Sequence, residues 1–308
     1  MIQQATFMND IQIDKARKMG ELVICPYSEN NLTPVGYNLS FSRFIVSLRK
    51  KAFVKIKHKG NEWFFKLRPH ETVLVLTRET IWVSKFIGGT FHSKVSLVTR
   101  GLGHVSTTLD PGWHGQLLVP LNNPTRENIK VVIAHDNNNE KVFETFLTMV
   151  LYRAQEASLN TKNDNKAARI ELLEEILEKK KHNKDAEYLW NFIQNLKKSI
   201  NTMELFVDLN DPTDRMQKVK VFQREHLKMI TEMDNEFERI NKFSKKMHNR
   251  KQIGFLAVAV AIFLVLLTGI IVANIQSNEI CKTVVNNAMP IVTAFAALKI
   301  GRDYDKYI

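Results

Sequence analysis

Cysteine is nearly absent: the 308 residues contain two, Cys25 and Cys281, set in stretches of different character. They form no spacing pattern, so neither a disulfide framework nor a structural zinc site is expected, and no metal-ligand set stands out. Acidic side chains are in short supply, 32 against 44 Lys and Arg, which leaves a formal charge of +12. No zinc-finger, helix-turn-helix or RNA-binding signature accompanies that excess, so direct nucleic-acid binding is not expected. Met1 to Asp14 is mixed and polar without an apolar core. That argues against a secretory signal and for a cytoplasmic N-terminal part. Gly and Pro are missing altogether between Thr213 and Lys251.

The positive charge is gathered at Arg49 to Arg68, Lys162 to Lys198 and Lys242 to Lys251. In the first cluster Lys51, Lys55 and Lys57 alternate with Phe53, Val54 and Ile56, which suits the solvated face of an amphipathic strand better than a phosphate site. Short runs rich in β-branched and aromatic residues recur at Phe53–Lys57, Trp63–Leu67, Thr72–Thr77 and Asn128–His135. Turn signals such as Lys59-Gly60-Asn61 and Asp136 to Asn139 separate them. With one short helix at Asp10–Met19, this predicts an all-β barrel or jelly roll over residues 1–157.

The periodicity then changes. Residues 158–210 form a polar linker followed by two helices, one carrying Ile170, Leu173, Ile176 and Leu177 on one face, the other over Asp185–Phe206. Asp211-Pro212 is a helix start, and residues 211–251 predict a long helical stalk. Its seam runs through Met216, Val219, Phe222, His226, Met229 and Met233 in steps of three and four, with the character of a coiled coil. His226 is expected to be a core or interface histidine and not a ligand. Ile253–Ile275 is 23 residues without a charge, long enough for a transmembrane helix, since about 20 helical residues cross a bilayer core. Basic residues on its Lys242–Lys251 side place the N-terminal domain in the cytoplasm and the chain in the inner membrane. Residues 283–300 are a second transmembrane or a re-entrant helix, interrupted by Asn286, Asn287 and Pro290.

The chain is organised around His104–Asn123. Asp110-Pro111-Gly112 is a turn signal between two aliphatic and β-branched runs, which predicts a β-hairpin with Asp110 and Trp113 at its tip. This segment resembles the signature of the dCTP deaminase and dUTPase family, whose members carry an Asp-Pro-Gly-aromatic-x-Gly turn. Three further segments agree in order: Gly20–Leu39, the run Phe65-Lys66-Leu67-Arg68-Pro69-His70-Glu71, and Ser93–Leu102, which occupies the place of the family's phosphate-binding segment. The resemblance implies a dUTPase-like distorted barrel, followed here by the stalk and by a membrane helix or helical hairpin.

The catalytic pattern departs from the family. Its deaminases place a Glu ten residues after the turn's Asp, as the acid/base that activates water, and that position here is Pro120. No carboxylate lies between Asp110 and Glu127. Counting back from Gly101-Leu102, the phosphate-binding Arg falls on Thr99 and the paired serines on Val95 and Ser96. What the resemblance carries over is therefore a nucleotide-binding set, Lys94, Ser96, Arg100, Asp110, Trp113 and Gln116, with no cofactor; Mg2+ enters only with a bound nucleotide triphosphate. It also implies a homotrimer with sites between subunits. The expected function is a membrane-anchored nucleotide-sensing effector with a catalytically degenerate domain, acting on membrane integrity in bacterial anti-phage defence. The alternatives are an active membrane-tethered dCTP deaminase or dUTP pyrophosphatase, with Asp110 catalytic, and a trimeric scaffold.

Overall fold

The computed structural model describes residues 6–103, 106–138, 140–159, 169–178, 193–194, 197, 216–232, 234–235 and 237–238. The chain divides into two compact units, Met1–Asn235 and Glu236–Ile308, and only residues 237–238 of the second are described.

The first unit holds an all-β domain. In chain order its elements are β1 (Thr6–Phe7), α1 (Asp10–Lys18), β2 (Leu22–Cys25), β3 (Leu32–Thr33), β4 (Gly36–Ser47), β5 (Ala52–Phe53), β6 (Lys57–Lys59), β7 (Glu62–Leu67) and β8 (Thr72–Val83). There follow β9 (Ile87–Ser93), α2 (Val95–Val98), β10 (Thr108–Leu109), β11 (His114–Asn122), β12 (Ile129–Asn137), β13 (Glu140–Phe143), β14 (Thr145–Arg153) and α3 (Ile170–Glu178). A further helix, α4, occupies 216–232 and continues at 234–235. α1 begins at a reciprocal capping box, Asn9 accepting from the Gln12 amide N–H and the Gln12 side chain accepting from that of Asn9.

All pairings are antiparallel. The larger sheet runs β10-β9-β14-β4-β8-β11, with β1 on β14, β2 on β8, and β3 and β5 on β4; the smaller runs β13-β12-β7-β6. β4 and β8 are long enough to bend, and each does so at a bulge. Phe41 pairs Thr77 but Ile45 pairs Val75, and Gln116 of β11 pairs Thr80 while Leu118 pairs Leu76. Ser42–Phe44 and Thr77–Glu79 are therefore looped out of the regular ladder, as bulges that bend a sheet require. Inward side chains from both sheets, among them Leu39, Phe41, Val75, Phe91, Val119, Ile133 and Leu147, form one core.

β14 closes the domain, seated between β9 and β4. The predicted hairpin does not form. The Asp110 turn is a real β-turn, with Trp113 N–H donating to Asp110 O at 3.1 Å and Gly112 at φ 81, the positive value that the third position of a type II turn demands. Its two arms, however, pair with different strands, β10 with β9 and β11 with β8. The turn is an arch from one part of the sheet to another, because each arm finds an apolar edge already waiting. At Arg68–Glu71, His70 sits at φ 53 and Glu71 N–H donates to Arg68 O at 3.2 Å. His70 thus holds the backbone shape for which the resembled family uses Gly.

Of the stripe expected along the stalk, Val219, Phe222 and His226 are covered, while Met216 at its start is exposed. Over 219–229 its partner is the β domain: Val219, Phe222 and Met229 pack on Val23, Cys25 and Trp82 of β2 and β8. No described helix is long and apolar enough to cross a membrane. The predicted spans 253–275 and 283–300, the linker over 160–168, most of the Asp185–Phe206 helix and residues 239–251 lie outside the described residues.

Gly89 is where β9 lies against β14 and carries β10. A Cβ there would stand 2.5 Å from Val150 O and 3.1 Å from Leu151 Cδ2, with backbone as the obstruction. Gly89→Ala is expected to cost about 2 kcal/mol, seen as a fall in melting temperature of roughly 5 °C. An unchanged melting temperature would refute this account of the sheet.

Candidate functional site

The predicted nucleotide-binding residues fall into two groups. Asp110, Trp113 and Gln116 lie on the arch and the start of β11. Asp110 is exposed, with Thr108 Oγ1 donating to its Oδ1 at 3.4 Å. Trp113 is buried in the main core, and its indole N–H donates to Gly115 O at 3.2 Å. Gln116 is 2% exposed, its Nε2 donating to Thr77 O at 2.8 Å, inside the β8 bulge. The bulge is itself held open by Thr77, whose Oγ1 donates to Glu79 O at 2.9 Å and accepts from Leu117 N–H at 3.0 Å.

Lys94, Ser96 and Arg100 form the second group, on the turn of α2 and just after it. Lys94 Nζ donates to Thr145 Oγ1 at 2.6 Å, while Ser96 and Arg100 are exposed. Leu97 and Leu102 anchor this segment in the core. Within one chain the two groups are far apart. Leu109 pairs Gly89, so Asp110 lies level with Gly88. Lys94 is six residues further along β9, about 20 Å at the rise of an extended strand.

Pro120 lies on β11, opposite Leu74 of β8. β11 closes the order of the large sheet, and an edge strand is where a residue without an N–H can sit in a ladder. Leu117, Val119 and Leu121 point into the core, so Pro120 is on the outward face, half-buried. It has no proton to give or take. Among the described residues no cluster of three or more His, Cys, Asp or Glu could hold a metal ion.

The residues that sequence reasoning missed stand behind the arch, on the other side of β8. Glu79 is fully enclosed, with Ser40 N–H donating to its Oε2 at 2.8 Å, and burial pushes its carboxyl up to about 7. Burial likewise raises the Cys25 thiol to about 12, with the nearby Glu79 charge adding to it, and raises the Tyr37 phenol. His226 of α4 is buried against the backbone of Arg78 and Cys25, and burial lowers its imidazole to about 4. Neither of its ring nitrogens closes a well-formed hydrogen bond, nor does the indole N–H of Trp82 or the hydroxyl of Thr80. At the end of α4, Asp234 Oδ2 accepts from Arg78 at 3.0 Å, and Arg43, 1% exposed, lies 3.9 Å from Oδ1. Arg78 also covers Phe143, and Arg43 covers Trp63. The signal in the sequence was Arg78-Glu79 itself, a charged pair in the middle of the apolar run Thr72–Val83.

Glu79 and His226 pull stability in opposite directions with pH. The Glu79 pKa is raised in the fold from 4.5 to about 7, so its stabilising share is complete below pH 4.5 and is lost as pH rises through 7, a change of order 3 kcal/mol. The His226 pKa is depressed from 6.5 to about 4, so its share is complete above pH 6.5 and is lost as pH falls through 4. Glu79→Gln is expected to remove the loss on the alkaline side, and His226→Leu the loss on the acid side. Melting temperatures at pH 4.5, 6 and 8 for parent and both variants test this; parallel profiles in all three would contradict it.

A family model described as dCTP deaminase-like matches residues 7–137. The dCTP deaminase of Pyrococcus furiosus is 34% identical over 119 residues, covering 38% of this chain and 70% of that protein. That of Pyrococcus horikoshii is 29% identical over 153 residues, covering 49% of this chain and 86% of its own. A solved dCTP deaminase from Agrobacterium tumefaciens aligns at 11% identity with a TM-score of 0.36, covering 56% of this chain and 53% of that one. The matched segment takes in the arch, both residue groups and the bulged β8, and it follows that this chain belongs to the dCTP deaminase-like family.

Proposed function

We propose that the β domain binds a deoxynucleotide without deaminating it and reports its presence to the C-terminal part of the chain. The observation that carries this reading is Pro120. Deamination of a cytosine ring needs a group that takes a proton from water and delivers it to the leaving amine. In this chain the matching place on β11 is an imino acid paired with Leu74. The groups suited to holding a nucleotide are retained: a carboxylate at Asp110 for the sugar, and Lys94, Ser96 and Arg100 for phosphates. Because the two groups are separated within one chain, the bound state joins copies, and a homotrimer of the kind the resemblance implies would supply three such sites. A nucleotide triphosphate would bring Mg2+ with it, as charge neutralisation for the phosphates.

The remainder of the reading concerns location. The charge-free run Ile253–Ile275, flanked by Lys242–Lys251, suits an anchor in the inner membrane with the β domain on the cytoplasmic side. A nucleotide-reading head joined to a membrane segment suits an effector that alters membrane integrity when nucleotide pools change, as in phage infection.

The purified full-length chain is expected to gain several degrees in melting temperature with saturating dCTP or dUTP, since a ligand at about 100 times its Kd contributes about 2.7 kcal/mol. Asp110→Ala is expected to abolish the gain. No ammonia or pyrophosphate should appear. Release of either by the parent chain, lost in Asp110→Asn, would replace this reading with an active enzyme; no shift with any deoxynucleotide would leave a scaffold.

A further inference from the structure

β8 between Thr77 and Val83 is a wall contacted from two directions. Along its hydrogen-bonding edge run the end of the arch and β11. Gln116 Nε2 donates to Thr77 O at 2.8 Å, Val83 N–H donates to Trp113 O at 3.0 Å, and Trp82 pairs His114 in the ladder. Over its side chains lies α4. Val219 and Phe222 pack on Trp82, His226 is buried against Arg78, and Asp234 takes the Arg78 guanidinium at 3.0 Å. The two residues of the arch that touch the wall belong to the candidate nucleotide site. The helix that touches it leads directly into the second unit of the chain, which begins at Glu236.

The seam between wall and helix is poorly satisfied. Trp82 Nε1 and Thr80 Oγ1 are buried without a hydrogen-bond partner, the His226 ring makes only imperfect contacts with the backbone of Arg78 and Cys25, and Asp234 Oδ1 has only Arg43 at 3.9 Å. Unpaired buried polar groups are costly relative to water, where each would be solvated. The seam is thus closed by apolar contact at Val219 and Phe222, by the Cys25 thiol on Gln223 O and by a charged clasp of Asp234 with Arg78 and Arg43, against an opposing cost spread along its length. An interface so balanced is one that a small rearrangement of the wall can open or tighten.

We infer that α4 is a releasable latch, clasped to β8 through Asp234 and Arg78, and that its docking is coupled to occupancy of the candidate site through the shared segment Thr77–Val83. The coupling rests on the nucleotide-binding reading for its ligand. The latch itself rests only on the packing. A ligand that draws Gln116 or Trp113 into a new position moves the bulge that presents Arg78. By reciprocity, freeing the helix changes the affinity of the site by the same factor.

Cys25 gives a direct readout. It is buried beneath the helix, its Sγ donating to Gln223 O of α4 at 3.6 Å, so a soluble maleimide reaches it only when α4 lifts. In the full-length chain carrying Cys281→Ser, labelling of Cys25 is expected to be slow. Asp234→Ala, and the milder Asp234→Asn, should accelerate it, by roughly tenfold for the alanine variant, with the overall melting transition retained. Gln116→Ala, altered on β11 beside the β8 bulge, should change the rate as well. Saturating dCTP or dUTP should change the rate in the parent, and Asp234→Ala should shift the nucleotide Kd by the same factor. Equal labelling in parent and both Asp234 variants overturns the latch. Unchanged labelling in Gln116→Ala, or a nucleotide that binds with the same Kd and leaves labelling untouched, overturns the coupling. If no nucleotide binds at all, the functional reading falls while the two substitution arms still decide the latch.

Discussion

The bulge at Thr77–Glu79 is the constraint on which the rest of this domain depends. A strand of 12 residues that stayed regular would carry its pairing with β11 and β4 without a break through to Val83. Looping residues 77–79 out sets the Glu79 carboxylate on the Ser40 backbone and Arg78 on Asp234. The Thr77 hydroxyl bridges the gap by donating to Glu79 O and accepting from Leu117 N–H. One irregularity therefore fixes where β11 begins, where the arch stands and where α4 can dock.

The buried ionisable groups around this bulge explain one another. Glu79 is too enclosed to stay charged cheaply, and its charge would in turn disfavour a Cys25 thiolate. His226 is too enclosed to take a proton. Between the two pKa values both are neutral, and the seam is then held without a buried net charge. Arg43 and Arg78 lie against Asp234 and the aromatic faces of Trp63 and Phe143, the usual condition for enclosing a guanidinium.

Much of the fold was legible in the sequence. Alternation and turn residues gave the all-β class and most strands of residues 1–157, although the run Phe53–Lys57 is split between β5 and β6, and a short helix was expected where α1 lies. The Asp110 turn was read correctly as a turn, but what its arms pair with was not, because pairing partners are chosen by edges far away in sequence. The stripe on α4 was also legible, whereas its cover was not: spacing of three and four shows that a helix has a buried face and is silent on whether a helix or a sheet lies against it. The predicted site residues are where loops and strand ends can carry them, yet their separation into two groups emerges only from the register of β9 with β10.

By itself the sequence determined the local chemistry of this protein: a proline at position 120, a turn that needs glycine at 112, a helix with one apolar face, and a long charge-free run near the C-terminus. These depend on residue type and near neighbours alone. Tertiary structure decided what is shared. It set β11 at the sheet edge, where Pro120 is tolerated, parted Asp110 from Lys94, and brought part of the candidate site and α4 onto one bulged strand. Such decisions rest on contacts between residues well apart in sequence, up to the 156 positions between Arg78 and Asp234, and no local pattern encodes them.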